Sequence, residues 1–210
     1  MTTKTQQVPA GTGHVIAPYI TTWSGEEDVP RQVVERRGLG IGFADETVLD
    51  RDRHHVLWRT RTSRPGHGRP QFGNVHPQRQ RRAMRKLLCQ VCAGPADQTD
   101  EGVLWLIPDL REDWPGWPAR MGLDEPPVCR PCVRLSVRLC PALRRGAAAI
   151  RARKYPIVGV WGAVYTRTVS GLQATEVRTV GFEDPAIRWT RAERLIRQVD
   201  DCDIVPLDDL

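Results

Sequence analysis

Two Cys-x-x-Cys pairs constrain the fold of this chain more than any other feature of its sequence. They are Cys89-Gln-Val-Cys92 and Cys129-Arg-Pro-Cys132. Each pair places two thiols close enough to bind one tetrahedral ion, and together they supply the four thiolates of a closed zinc site. The spacing therefore predicts a structural Zn²⁺ bound by Cys89, Cys92, Cys129 and Cys132. The alternative is that the two pairs are core residues without a metal.

Length and apolar content limit the kind of protein that we expect. A chain of 210 residues is long enough for one large domain or two small ones. No stretch approaches the roughly 20 apolar residues of a membrane span, so we expect no membrane association. Residues 1–13 are polar and lack the apolar region of a secretory signal, which predicts a cytoplasmic protein. In that reducing compartment paired cysteines are more often metal ligands than disulfides.

The basic residues are concentrated around the cysteines. Residues 51–95 hold eleven basic residues and one acid, and residues 129–154 hold eight basic residues and no acid. The end of the chain is acidic, with Asp200, Asp201, Asp203, Asp208 and Asp209. Arginines account for 28 of the 31 basic residues, and a guanidinium binds phosphate or carboxylate through two hydrogen bonds. This charge segregation indicates an anionic partner for the region of the cysteines.

The pattern of apolar and turn-forming residues predicts an α+β protein in four regions. These are a disordered leader (1–13), a strand-rich N-terminal region (14–74), a zinc-binding module (75–150) and a C-terminal ββα element with an acidic tail (151–210). In the N-terminal region we expect strands over 15–23 and 55–61, a Gly-rich strand or turn over 39–43, and a loop over 63–74.

The zinc-binding module and the C-terminal element contain the predicted helices. Pro77 suits the first turn of a helix over 77–88, with Val75 or His76 near its cap. The module continues with a turn over 98–102, a strand over 103–107, irregular structure over 108–128 and a helix over 130–140. The C-terminal element is predicted as two strands (157–168 and 174–182) joined around Ser170-Gly171. A helix over 185–200 follows, with Ile187, Leu195, Ile196 and Val199 on its apolar side.

The order of elements around the cysteines resembles a treble-clef zinc finger. A basic helix leads to the first pair, and the second pair lies at the start of a helix, whose N–H groups stabilise thiolates. Arg81-Arg82-Ala-Met-Arg-Lys-Leu-Leu-Cys-Gln-Val-Cys-Ala-Gly resembles the entry to the zinc-bearing subset of HNH nucleases, over about residues 79–132. Those nucleases carry a catalytic His-bearing motif between their cysteine pairs, and no histidine occurs between Cys92 and Cys129. The resemblance therefore implies the fold and the zinc without the nuclease reaction. The whole chain is also similar to actinobacterial proteins without an assigned activity.

Two stripes of basic residues are the candidate nucleic-acid-binding residues. The first is Arg79, Arg81, Arg82, Arg85 and Lys86, and the second is Arg130, Arg134 and Arg138. Like charges four residues apart on a helix repel each other, which favours an anionic partner such as phosphate. Two helices that share one zinc would be neighbours, so their charges would form one patch. The alternatives are a solvated charged face and a cradle for the acidic tail or for an acidic partner.

Several smaller features have two interpretations each. Arg64-Pro-Gly-His-Gly-Arg69 is a candidate anion-binding loop through Arg64, His67 and Arg69, or an ordinary surface turn. Trp114 and Trp117 are either exposed platforms for bases or a partner, or rings folded over the zinc module, whereas Trp105, Trp161 and Trp189 are predicted core residues. Cys140 is interpreted as a buried free cysteine or an alternative ligand, and Cys202 as a residue of the tail.

These observations favour a zinc-stabilised nucleic-acid-binding or regulatory protein with an arginine-rich surface around a four-cysteine site. The first alternative is a protein–protein adaptor with a purely structural zinc, which contacts its partner through Trp114, Trp117 or the acidic tail. The second alternative is an enzyme, nuclease-like or other, that uses His67 with Arg64 and Arg69. No motif in the sequence identifies a catalytic residue, so catalysis is not the expected function.

Overall fold

The computed structural model describes residues 16–210, which form a mixed α+β fold. The predicted fold class is therefore confirmed. The predicted leader over 1–13 and the first residue of the strand predicted over 15–23 lie outside the described residues. No helix in the described part of the chain has the length and apolar character needed to cross a bilayer.

Thirteen strands and two α-helices make up the regular structure of residues 16–210. The strands are β1 (Thr21–Trp23), β2 (Val33–Arg36), β3 (Gly40–Phe43), β4 (Leu57–Trp58), β5 (Pro70–Val75), β6 (Gln98–Thr99), β7 (Gly102–Pro108), β8 (Met121–Leu123), β9 (Ala147–Lys154), β10 (Ile157–Thr168), β11 (Gly171–Gly181), β12 (Thr190–Val199) and β13 (Asp201–Val205). The helices are α1 (Pro77–Lys86) and α2 (Arg130–Leu139), and three 3-10 turns cover Pro141–Leu143, Pro185–Trp189 and Leu207–Asp209.

The largest sheet is built around β12 and carries α1. Its strands lie in the order β11-β10-β12-β4. Strand β4 pairs with the start of β12, and β8 pairs with the end of β12. Met84 of α1 packs with Val160 and Leu195 in the core of this sheet. The side chain of Gln80 in α1 exchanges two hydrogen bonds with the backbone of Leu195, at 2.9 and 3.0 Å. The helix is thereby fixed to the strand by polar as well as apolar contacts.

The second sheet carries α2 and the cysteines. Its order is β13-β9-β7-β6, and two short sheets pair β1 with β5 and β2 with β3. Successive residues of a strand point to opposite faces. In β7, Trp105 therefore packs into one core cluster, while Leu104 and Leu106 pack into another with Cys89 and Cys132. Because β7 is covered on both faces, its sequence is apolar throughout.

Several predicted elements are confirmed. Helix α1 begins at Pro77 with His76 at its N-cap, and α2 extends over most of the predicted helix. The predicted strand or turn over 39–43 is strand β3, and the predicted strand over 103–107 is β7. Strands β10 and β11 form the predicted hairpin, whose last pair joins Thr168 to Gly171.

The helix predicted over 185–200 is wrong, because this segment is a 3-10 turn followed by β12. The pairing of β12 with β10 skips one residue, Glu193, between Ala192 and Arg194. This β-bulge shifts the alternation of buried residues, which are Thr190 and Ala192 before it and Leu195, Arg197 and Val199 after it. Ile196, on the opposite face, is buried as well. Because this end of the strand is buried on both faces, Leu195, Ile196 and Val199 have the spacing of the apolar side of a helix, and the C-terminal element is not ββα.

Other boundaries also differ from those predicted. The expected loop over 63–74 contains most of β5, and the strands expected over 15–23 and 55–61 shorten to β1 and β4. Part of the acidic tail is strand β13, which pairs with β9. Arg153 of β9 binds both Asp201 (2.6 and 3.0 Å) and Asp203 (2.5 Å), and Lys154 lies 3.7 Å from Asp200. Two basic residues are therefore neutralised by the tail.

Candidate metal centre and basic surface

The first cysteine pair lies in a tight turn that follows α1. The helix ends at Leu87, whose backbone adopts the left-handed conformation (φ 50°). The N–H of Cys89 donates to the carbonyl of Gly94 (2.7 Å), and the N–H of Ala93 donates to the carbonyl of Cys89 (2.9 Å). A Cβ at Gly94 would lie 3.4 Å from Sγ of Cys92, so a glycine lets the backbone pass closely around that sulfur.

The second cysteine pair begins α2. Cys129 is the N-cap residue with an extended backbone, and the N–H of Cys132 donates to its carbonyl at 3.0 Å. Pro131 fills an early helical position that needs no N–H donor. The N-terminus of α2, which is the positive end of the helix dipole, therefore lies at the second cysteine pair.

Backbone hydrogen bonds hold the two pairs side by side. The N–H of Gln90 donates to the carbonyl of Pro127 at 2.9 Å, and the N–H of Asp97 donates to the carbonyl of Val128 at 3.0 Å. Val128 donates in turn to the carbonyl of Leu104 in β7, at 2.9 Å. The residues that separate the pairs in sequence therefore return the chain to the first turn.

The four cysteines form a cluster with the spacing of a metal site. All four sulfurs lie within 4.8 Å of one another, and those of Cys92 and Cys129 are 3.7 Å apart. Four Zn–S bonds of about 2.3 Å in a tetrahedron place the sulfurs about 3.8 Å apart. Burial and the neighbouring thiols raise the pKa of Cys132, so a bound cation would offset the cost of ionising the cluster. The donor set fits a soft divalent metal and would complete its coordination.

The remaining two cysteines lie outside this cluster. Cys140 follows α2 and lines an apolar groove between that helix and residues 16–18. Cys202 lies in β13, opposite Ala152 of β9, and packs against the core cluster that contains Trp105. It is therefore a strand residue and not part of an irregular tail.

The first basic stripe divides between the interior and the surface. Arg79 is 5% exposed and donates to both carboxylate oxygens of Glu26, at 2.5 and 2.7 Å. Arg81 stacks over the ring of Trp58, with 4.6 Å between its Cζ and the ring centroid, and Arg85 pairs with Asp52 at 2.7 Å. Only Arg82 and Lys86 of this stripe are exposed without a carboxylate within 4.0 Å among residues 16–210.

The second basic stripe is more exposed. Arg130 lies 3.3 Å from Asp97, and Nε of Arg134 donates to the carbonyl of Leu210 at 2.6 Å. Arg138 is exposed and has no acidic partner in the described chain. Helix α1 packs on the β12 sheet and α2 on the β7 sheet, so the merging of the two stripes into one patch stays a prediction.

The glycine-containing loop at 64–69 is a turn fastened to the segment that follows β1. The N–H groups of Arg64 and Arg69 are both used, because they donate to Glu26 Oε1 and Ser24 Oγ at 2.9 Å. The N–H of Gly25 donates to the carbonyl of His67 at 3.1 Å. The side chains of Arg64, His67 and Arg69 are exposed, and their use as an anion site stays a prediction.

The tryptophans of the irregular segment separate into one buried and one exposed ring. Trp117 is 7% exposed, packs with Trp105 and donates its Nε1–H to the sulfur of Met121 at 3.2 Å. Trp114 is 37% exposed. Trp105 is confirmed as a core residue, while Trp161 and Trp189 are half-buried.

The sequence did not reveal the role of Glu26. Its carboxylate accepts hydrogen bonds from the N–H groups of Trp23 and Arg64, both at 2.9 Å, as well as from Arg79. Burial tends to raise the pKa of Glu26, but the bonds from Arg79 and the two amides lower it below its ordinary value. Burial and the charge of Arg79 lower the pKa of the neighbouring His76 and favour its neutral form.

No protein-family model, curated protein or solved structure matches this chain. The resemblance to zinc-bearing HNH nucleases over about residues 79–132 therefore rests on the sequence pattern and stays a prediction. The features of the molecule that bear on its function are the four cysteines and the charged residues around them.

Proposed function

We propose that this chain is a zinc-stabilised nucleic-acid-binding protein of the cytoplasm. In this proposal Cys89, Cys92, Cys129 and Cys132 bind one structural Zn²⁺. Four thiolates close the tetrahedral coordination sphere and leave no position for a reacting water. The metal then contributes to folding, because it links α1 to α2 and β7 at the point where the cysteines are packed.

The arrangement of elements supports a treble-clef-like module. The first cysteine turn is followed by the antiparallel pair of β6 and β7, and the second cysteine pair occupies the first turn of α2. The cysteine turn, hairpin and helix thus occur in the order of that zinc finger. The exposed faces of α1 and α2 carry the basic residues that we assign to the ligand.

Exposed basic residues without acidic partners carry the proposal for a nucleic-acid ligand. Within residues 16–210, eight of them come from the two basic stretches of the sequence and have no carboxylate within 4.0 Å: Arg53, Arg64, Arg69, Arg82, Lys86, Arg138, Arg144 and Arg145. Outside those stretches Arg31, Arg167 and Arg178 are paired with acids, while three exposed arginines (Arg37, Arg120 and Arg188) have no such partner within residues 16–210. Cations that the fold leaves unneutralised raise the local concentration of polyanions and contact phosphate groups.

Arg79 does not belong to this surface. Its guanidinium is held inside the molecule by Glu26 and by the carbonyl of Thr21, which accepts from Nη2 at 2.7 Å. Its role is to anchor α1. The proposed interface therefore keeps Arg82 and Lys86 from the first stripe, and Arg138 with Arg130 and Arg134 from the second.

A salt series of nucleic-acid binding tests the proposal. We expect the holoprotein to bind random-sequence oligonucleotides in fluorescence anisotropy at about 50 mM salt, with an affinity that falls steeply with salt. Replacing Arg138, Arg144 and Arg145 by glutamine should reduce the slope of log K against log [salt] on duplex DNA. The expected reduction is about 0.9 for each phosphate that the variant no longer neutralises.

Two other arginines provide the matched control. Arg37 and Arg188 are exposed and lie outside the basic stretches, and the described chain offers them no carboxylate within 4.0 Å. The Arg37→Gln/Arg188→Gln variant should keep the wild-type slope. Absence of binding at about 50 mM salt, or an equal loss in the control, would refute the proposal.

An adaptor function is the second candidate, and one surface favours it. Ile16, Phe72 and Leu139 are exposed apolar residues that line one groove of about 510 Å³. On α2 the exposed Arg138 precedes the groove residue Leu139, so the occupant that we propose is an apolar protein segment with acidic flanks. A partner that co-purifies in fixed stoichiometry with the wild type and is lost from Phe72→Asp would favour this candidate. Salt-dependent binding of nucleic acid that Phe72→Asp leaves unchanged would favour the first.

A further inference from the structure

Three of the five residues that line a cavity at the C-terminal end of α1 are arginines. Its volume is about 420 Å³, and its lining residues are Arg53, His54, Arg85, Ile157 and Arg197. They come from the loop before β4, from α1, from the start of β10 and from β12. The volume lies within the range of roughly 300–1,000 Å³ that small-molecule sites occupy.

Arg197 forms the floor of the cavity and has no acidic partner among residues 16–210. It is 8% exposed. Its Nε and Nη2 donate to the carbonyl of Met84 at 3.2 and 2.8 Å, and its Nη1 donates to the carbonyl of Tyr155 at 2.5 Å. These bonds use three of the five N–H donors of a guanidinium. Burial lowers the pKa of Arg197, which reflects the cost of keeping this charge in the interior.

The end of α1 compensates only part of that charge. Met84 lies in the last turn, and the C-terminus of a helix is equivalent to about half a negative elementary charge. Capping the helix therefore explains why one arginine is buried here. It does not explain why two further arginines line the same cavity.

Only one of those two arginines has a carboxylate partner. Arg85 pairs with Asp52 at 2.7 Å, and the other oxygen of Asp52 accepts from the N–H groups of His54 (2.9 Å) and Val56 (3.2 Å). Asp52 is thus occupied in closing its own loop. Arg53 is exposed, and the hydrogen bond that it makes joins its Nε to Nε2 of His54 at 3.2 Å. The cavity keeps an excess of positive charge.

The imidazole of His54 has a fixed position at the edge of the cavity. It stacks on Phe182 with 4.3 Å between ring centroids and 11° between ring planes. Both sequence neighbours of Arg53 are therefore fixed: Asp52 by the hydrogen bonds of its own turn, and His54 by stacking on Phe182. Residues placed in this way bind a ligand with little additional ordering.

We propose that this cavity binds a phosphate group, which Arg53, Arg85 and Arg197 contact through their free N–H groups. Guanidinium groups bind phosphate oxygens through paired, charge-assisted hydrogen bonds. The phosphate has two chemical sources, a nucleic-acid backbone and a small phosphomonoester. If the phosphate belongs to a nucleic-acid backbone, this inference deepens the proposed function and rests on it. If the phosphate belongs to a phosphomonoester, the inference is independent of that function.

Titration with inorganic phosphate and with an oligothymidylate tests the site and separates the sources. The protein is the full-length zinc-loaded chain in isothermal titration calorimetry, with the fold of each variant checked by circular dichroism. Arg53→Gln/Arg85→Gln should weaken phosphate binding by about tenfold or more, because each substitution removes a charge-assisted hydrogen bond. Arg37→Gln/Arg188→Gln is the matched control, since it also removes two exposed arginines, and neither of them lines the cavity or belongs to the proposed interface. Arg197 is left unchanged because it also caps α1.

Each outcome decides one question. Loss of phosphate binding in Arg53→Gln/Arg85→Gln but not in Arg37→Gln/Arg188→Gln supports the site. A parallel loss of oligothymidylate binding identifies the source as a nucleic-acid backbone. Oligothymidylate binding that is unchanged in the variant, or absent, identifies a phosphomonoester as the source. If the wild-type protein does not bind oligothymidylate, the proposed function is refuted, but the phosphate site is not. A wild-type protein that does not bind phosphate, or equal binding by both variants, overturns the inference.

Discussion

Replacing Glu26 by glutamine should strongly destabilise the protein, because it leaves the charge of Arg79 buried without a counterion. The carboxylate accepts two hydrogen bonds from that guanidinium, at 2.5 and 2.7 Å, and the guanidinium is almost inaccessible to water. Glutamine keeps one acceptor oxygen, so at least one of these charge-assisted hydrogen bonds, worth about 1.5–3 kcal/mol, is lost and the other becomes weaker. Breaking a buried ion pair by removing one partner independently gives about 3–5 kcal/mol.

Urea denaturation followed by circular dichroism measures this loss. Small proteins unfold with a free energy of about 5–15 kcal/mol, so the change is a large fraction of the total. A loss of 1 kcal/mol lowers the melting temperature of a chain of this size by about 2–4 °C, so we expect a decrease of about 6–20 °C. Arg82→Gln, on the exposed face of the same helix, should change the stability by less than about 0.5 kcal/mol.

A double substitution and a pH series sharpen the test. Glu26→Gln/Arg79→Met should recover part of the loss, because no isolated charge remains. The pKa of Glu26 is lowered in the folded protein, so its stabilisation is present above the ordinary carboxyl value of 4.5. It is lost as the pH falls through the lowered pKa, and the difference between wild type and Glu26→Gln should shrink there.

The reasoning is refuted if Glu26→Gln costs less than about 1 kcal/mol at neutral pH, the value typical of solvated ion pairs. Arg79 would then be accessible to solvent and would return to the set of candidate phosphate-binding residues.

Three further predictions concern other parts of the molecule. Trp117→Ala should cost about 3–5 kcal/mol in urea denaturation because that ring is buried, whereas Trp114→Ala should cost less than about 1 kcal/mol; equal losses would contradict the assigned packing. Cys140→Ser should leave the zinc content measured by elemental analysis unchanged, because its sulfur is outside the four-cysteine cluster; loss of metal would make it a ligand. Burial, and then the charge of Asp124, raise the pKa of Glu125 to about 7, so wild-type stability should fall as the pH rises from about 4.5 to 7. Glu125→Gln should flatten that part of the pH profile, and an unchanged slope would show that another group titrates.

The cysteine cluster and the helix starts could be predicted from local sequence. A Cys-x-x-Cys pair fits one tetrahedral ion wherever it occurs, and proline at the first helical positions needs no long-range information. Pro77 therefore marked the start of α1 correctly, and the second cysteine pair marked the start of α2. The β10–β11 hairpin was equally local, because its turn at Ser170-Gly171 joins strands that are adjacent in the chain.

The remaining elements depend on partners that are distant in sequence. Burial of β12 on both faces near Ile196 made its sequence look like a helix, and the short alternation of β13 becomes a strand only because β9 pairs with it. The contrast between Arg79 and Arg82 is the clearest case. Both lie on α1, but only the first has a buried carboxylate to meet, and Glu26 is 53 residues away in sequence. No helical periodicity contains that information.

X-ray absorption at the zinc edge of the purified chain tests the central claim most directly. If the four cysteines bind one structural zinc, the spectrum will show four sulfur neighbours at about 2.3 Å and no oxygen or nitrogen bound to the metal. Elemental analysis of the same sample should give one zinc per chain. A protein without metal, or a zinc ion with fewer than four sulfur ligands, would contradict the account.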